Sequence, residues 1–137
     1  ACAAYEEIIR QSGGIDLQLL GLGRNGHIGF NEPGSPLTSK TRMVYLDDLT
    51  IKDAAGDFGG MENVPSRAIT MGVGTIMKAR KVILLAWGEK KASIIKATVE
   101  GSVSDAVPAT FLQVHPNVQF VIDESAAEEL TRANQPW

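Results

Sequence analysis

The feature that most restricts this chain is an apolar strand running directly into a loop too rich in glycine and proline to become a helix. Ile15 to Leu22 (IDLQLLGL) is short, mostly apolar and closed by glycines, the pattern of a buried central strand in a parallel sheet. The run that follows, GLGRNGHIGFNEPGSP from Gly21 to Pro36, first invites a dinucleotide-binding reading. Gly21, Gly23 and Gly26 match G-x-G-x-x-G, with Asp47 and Asp48 about twenty residues further on. That fingerprint needs a helix to begin within the glycines, and Gly29, Asn31, Pro33, Gly34 and Pro36 prevent one. Nicotinamide and flavin chemistry is therefore not expected. The glycines are better explained by close approach of the backbone to a ligand, at Gly23 and Gly26 in particular.

The rest of the chain alternates strand and helix signals. Ala3 to Gln11 reads as a short helix stopped by Gly13 and Gly14. Met43 to Leu46 reads as a strand and Thr50 to Phe58 as a helix broken off by GDFGG. Ser66 to Ala79 begins β-like and turns helical from Gly74. Lys81 to Trp87 (KVILLAW) is a buried strand, and Glu89 to Glu100 a helix with Ile94, Ile95 and Val99 as its apolar stripe. Val107 to Leu112 predicts a helical turn, Val118 to Asp123 a last strand, and Ser125 to Arg132 a helix capped by Ser125. This order predicts an α/β fold, a Rossmann-like parallel sheet with helices on both faces, over a single domain spanning 1–137. Ligands would bind outside the carboxyl ends of the strands.

Composition narrows the function. A chain of 137 residues with 44% apolar and 21% charged residues has the make-up of a globular domain with a real core. Its net charge of -3, with scattered Lys and Arg, offers no footprint for nucleic acid or an anionic membrane. No stretch is apolar for long enough to span a bilayer. A lone cysteine, Cys2, allows no internal disulfide and fits a cytoplasmic protein. The chain opens at Ala1 directly into a helix pattern, which reads as a fragment.

His27 sits on the loop at the strand's carboxyl end, with Glu32 five residues later. A turn through Asn31 and Pro33 could bring the two together. A carboxylate on one imidazole nitrogen fixes the tautomer and frees the other for proton transfer. From spacing alone the plainer alternative weighs more: His27 bonded to a backbone carbonyl, Glu32 capping a turn. His115, before Pro116, reads as a loop residue. Two histidines far apart and one cysteine form no ligand-spacing motif, so no metal is expected. Ser35, Ser39 and Thr41 lack a G-x-S-x-G context and read as turn and capping hydroxyls.

The loop nonetheless resembles the signature of the glucosamine-6-phosphate deaminases, also called isomerases. The resemblance continues through SKTR (Ser39 to Arg42), VP (Val64, Pro65), AITMGVGTIM (Ala68 to Met77), GEKKA (Gly88 to Ala92), VPAT and LQVHP. It covers nearly the whole chain but only about the second half of a family domain. The first half normally holds a glycine-serine-threonine phosphate loop and an aspartate general base.

The resemblance implies conversion of glucosamine 6-phosphate, or a related aminohexose 6-phosphate, to fructose 6-phosphate and ammonia, without a cofactor. It implies His27 as the ring-opening residue and Glu32 as its orienting partner. Many members carry an aspartate where this chain has Asn25, which can hydrogen-bond but holds no negative charge. The family's phosphate lysine maps to Lys91, at a helix start suited to an anion. Its second phosphate contact, an arginine in many members, maps to Gly56, leaving Arg42 as one replacement. Allosteric members use a lysine where this chain has Val44. Two rival readings stand beside this one: a 6-phosphogluconolactonase-like hydrolase, and a non-catalytic sugar-phosphate-binding fragment. An incomplete sheet would also favour homo-oligomers or a complementing first half.

Overall fold

The computed structural model describes residues 1–131. Helix α1 (Cys2–Gln11) leads into β1 (Leu17–Leu20), and the glycine-proline loop then runs to β2 (Arg42–Tyr45) and α2 (Asp48–Phe58). There follow β3 (Arg67–Thr70), α3 (Val73–Met77), β4 (Lys81–Ala86), α4 (Ala92–Glu100), β5 (Val118–Ile122) and α5 (Glu124–Ala127). Short 3-10 turns at Met61–Asn63, Glu89–Lys91 and Pro108–Val114 fill the connections. Among the described residues, no helix is long and apolar enough to cross a membrane.

β1, β4 and β5 form a parallel sheet with β4 in the centre, in register Leu20↔Leu84 and Leu84↔Phe120. Side chains alternate across a strand, and here the alternation separates a dry face from an open one. Leu20, Val82, Leu84 and Ala86 point to the dry face. They join one core with Ile94 and Ile95 of α4, Ala109 and Leu112 of the third 3-10 turn and Ala126 of α5. Each fully buried aliphatic side chain contributes about 1.5–3 kcal/mol to holding these helices down. The other face presents Leu17, Leu19, Ile83, Leu85 and Val121, with Leu19 57% exposed and Leu17 49%.

The structure corrects three details of the sequence reading. β2 lies outside the parallel sheet: it pairs antiparallel with β3, Met43 opposite Ile69. The Glu89 to Glu100 helix opens as a 3-10 turn, with α4 proper starting at Ala92. α5 is capped by Asp123, whose carboxylate accepts from the Ala126 N–H at 2.9 Å, and Ser125 lies inside the helix. The expected end of that helix at Arg132 lies outside the described residues.

Candidate active site

The loop after β1 is held by its own backbone and by one buried amide. Gly23 N–H donates to His27 O at 3.0 Å, Gly26 N–H to Gly23 O at 2.9 Å, and His27 N–H to the Asn25 side-chain oxygen at 3.1 Å. Gly26 has φ +86°, and a Cβ there would run into Val107, so the turn admits only glycine. Asn31 is fully buried. Its Nδ2 donates to Ile28 O and Met71 O, each at 2.8 Å, and its oxygen accepts from Arg42 at 2.8 Å. The loop is thereby riveted to the chain just past β3.

This arrangement brings the predicted pair together. His27 Nδ1 and Glu32 Oε1 are 2.5 Å apart, with 17% and 11% of the two side chains exposed. The other Glu32 oxygen accepts from the Asp47 N–H at 2.5 Å. Thr50 Oγ1 stands 3.2 Å from the same Nδ1, and Phe30 meets the ring edge-on at a 6.0 Å centroid distance. A Cβ at Gly23 would collide with the ring at Nε2, so glycine here lets the imidazole lie flat on the loop. With Nδ1 committed to Glu32, Nε2 is the nitrogen left for the cleft. That cleft has a volume of about 390 Å³, with His27, Arg24, Thr50, Asp53 and Lys91 among its walls.

Lys91 closes the 3-10 turn after β4 and reaches across to donate to Leu22 O at 2.5 Å. Burial pushes its ammonium below the ordinary lysine range, Asp53 pulls it up and Arg24 pushes it down. Arg24 forms a two-pronged pair with Asp53, Nε to Oδ2 at 2.8 Å and Nη2 to Oδ1 at 2.5 Å. That bond holds the Asp53 carboxyl below its usual range, with Lys91 adding to the effect. Asn25 bridges from the His27 backbone to Asp47, donating to its carboxylate at 3.0 Å.

The structure gathers His27, Glu32, Asn25, Gly23 and Lys91 at one place, and it puts Arg42 and Gly26 elsewhere. Arg42 is spent on Asn31 Oδ1, Ser35 Oγ and Lys40 O and does not line the cleft. Gly26 lies under the loop, its carbonyl accepting from Ala109 N–H. His115 is buried, bonded to Ala79 O and Asn117 N–H. Ser35 donates to Glu32 O, and Ser39 accepts from the Val73 N–H. Sequence reasoning missed Arg24, Thr50 and Asp53. Thr50 and Asp53 stand one turn apart on α2, beside Leu49 and Ala54 of the same wall, a helical spacing that was available as a signal. Among the described residues, no cluster of three or more metal-ligating side chains exists.

Residues 1–121 match the family model described as glucosamine-6-phosphate isomerases/6-phosphogluconolactonase. A glucosamine-6-phosphate deaminase of Cellvibrio japonicus is 56% identical over 131 residues, 96% of this chain and 50% of that protein. The structure of a monomeric glucosamine-6-phosphate deaminase superposes with a TM-score of 0.90 at 42% identity, over 93% of this chain and 53% of that one. The 6-phosphogluconolactonase of Trypanosoma brucei gives 0.69 at 25% identity, over 94% and 52%. The chain thus spans about half the length of these relatives.

Proposed function

The chain belongs to the family of glucosamine-6-phosphate isomerases and 6-phosphogluconolactonases, and from that premise we propose that its cleft serves the deamination of an aminohexose 6-phosphate to fructose 6-phosphate and ammonia. The observation that carries this reading is the His27–Glu32 pair, which commits Nδ1 and leaves Nε2 unengaged by Glu32, in a cleft that Lys91 also lines. In this reading Nε2 moves a proton between the anomeric hydroxyl and the ring oxygen, opening the pyranose. Glu32 holds the tautomer, and the imidazole needs no rearrangement to act. A carboxylate then shuttles a proton from C2 to C1, and water hydrolyses the resulting C2 imine to release ammonia. The resemblance puts the general base in the first half of the family domain, and on that ground we assign the C2 proton to a carboxylate outside residues 1–137. The open sheet face at Leu17, Leu19, Ile83, Leu85 and Val121 supports a seat for that further polypeptide or for a second copy.

The FNEP run at Phe30 to Pro33 and the closer likeness to deaminases favour this reading over lactone hydrolysis. The test is a coupled assay for fructose 6-phosphate and ammonia with the intact gene product that carries this chain. Turnover that disappears in His27→Ala supports the mechanism, and turnover unchanged in His27→Ala refutes it. Hydrolysis of 6-phosphogluconolactone without deamination would move the assignment to the lactonase side. Ligand binding with no turnover of either substrate would leave a binding module.

A further inference from the structure

The cleft is lined by two cations and a carboxylate, Arg24, Lys91 and Asp53, and both cations already have protein partners: Arg24 bonds Asp53 and Lys91 donates to Leu22 O. Arg24 lies in the glycine loop and Asp53 on α2, 29 residues away. Both are 40% exposed at the side chain, so the pair is no buried clasp whose removal would collapse a core. Arg24 presents Nε and Nη2 side by side to the two Asp53 oxygens at 2.8 and 2.5 Å. The same fork fits two oxygens of a phosphate monoester, with more negative charge to meet. Lys91 lines the same wall, and its ammonium feels both members of the pair. Arg42 is engaged by Asn31 and Ser35.

We propose that Arg24 is the specificity-determining residue for a phosphorylated sugar, exchanging Asp53 for the ligand's phosphoryl oxygens beside Lys91. Asp53 acts as an internal stand-in for the ligand's anion. It keeps the guanidinium pre-oriented and competes with whatever binds. This deepens the deaminase reading and rests on it for the sugar, though the anion chemistry can be tested alone.

A residue pair that merely joins loop to helix would respond in the same direction whichever partner is removed. The exchange requires opposite signs. In calorimetric titration of the intact gene product, with His27→Ala to stop turnover, glucosamine 6-phosphate is expected to bind about 10- to 100-fold more weakly in Arg24→Gln. Asp53→Asn, which removes the competitor, is expected to tighten binding about two- to fivefold. Inorganic phosphate should follow the same order, while unphosphorylated glucosamine should not distinguish the variants. Equal weakening by both variants, affinity unchanged in Arg24→Gln, or no binding by the parent protein at millimolar ligand each overturns the proposal. The reaction is judged separately. Deamination whose KM is unmoved by Arg24→Gln would refute the anion role and leave the reaction standing. Opposite-sign binding effects without deamination would do the reverse.

Discussion

Replacing Glu32 by glutamine should reverse the tautomer of His27, and the geometry says why. Both Glu32 oxygens face nitrogens, His27 Nδ1 and the Asp47 backbone N–H, each at 2.5 Å. An ionised carboxylate can accept at both places. A glutamine has one acceptor oxygen and one NH2 group. The Asp47 N–H can only donate, so the glutamine oxygen must stay there and its NH2 must turn to Nδ1. Nδ1 then has to accept, and the ring proton moves to Nε2. Thr50 Oγ1, 3.2 Å from Nδ1, can reinforce the change by donating to the bared nitrogen. The cleft would then face an N–H where proton abstraction needs a lone pair.

In serine proteases, the corresponding carboxylate-to-amide change behind the catalytic histidine lowers kcat by about 10,000-fold through the wrong tautomer. We expect a loss of about 100- to 10,000-fold here, or roughly 3–5 kcal/mol of barrier. Long-range 15N–1H correlation spectra of the 137-residue chain would report which nitrogen carries the proton, independently of turnover. The coupled assay on the intact gene product would give the rate. A Glu32→Gln chain that keeps its proton on Nδ1 would refute the reasoning. So would an unchanged rate in an enzyme that depends on His27.

Other perturbations test the frame around the site. Asn31→Ala removes three hydrogen bonds from a fully buried position and leaves Ile28 O, Met71 O and Arg42 each one partner short; urea unfolding should show a loss of about 2–4 kcal/mol. Thr98 Oγ1 is buried with no hydrogen-bond partner among the described residues, so Thr98→Val should raise stability by about 1 kcal/mol in the same assay. Burial pushes the Glu6 carboxyl up, but hydrogen bonds from Thr41 and Thr75 outweigh it and hold the group below its ordinary 4.5. Its contribution should be fully present above about pH 4.5 and fade as pH falls through the lowered value. Glu6→Gln should flatten that acid limb in pH-dependent melts. The open sheet face predicts self-association, which Leu19→Glu should reduce in light scattering; a monodisperse parent monomer would contradict this.

The parts of this structure that sequence patterns revealed are those set by near neighbours along the chain. β4 shows because Val82, Leu84 and Ala86 alternate with less buried residues over an unbroken apolar run. The His27–Glu32 contact is legible because a short turn joins the two, although spacing alone favoured a plainer role for both. What was missed depends on distant partners. β2 was assigned to the parallel sheet, yet its partner β3 lies beyond the whole of α2, and nothing local distinguishes an antiparallel pairing. Asp123 was read as the end of a strand, and its second task emerges only when its carboxylate also takes the Gly88 N–H from the end of β4. Arg24 looks like an ordinary loop cation until α2 brings Asp53 to it.

The same distant partnership explains the departure at Asn25. Its side-chain oxygen accepts from the His27 N–H, and its Nδ2 donates to the Asp47 carboxylate at 3.0 Å. An aspartate could keep the first bond but would set two carboxylates against each other in place of the second. At about 3 Å, one of the pair would be driven to hold a proton. The neutral amide at 25 and the carboxylate at 47 are therefore one choice. The negative charge next to the loop sits at the start of α2, on the residue whose N–H anchors Glu32. Asn25→Asp alone should then destabilise the loop and disturb His27, whereas Asn25→Asp with Asp47→Asn should restore both. Equal loss in the single and double variants, measured by urea unfolding and by the His27 15N shifts, would show that the two positions are independent.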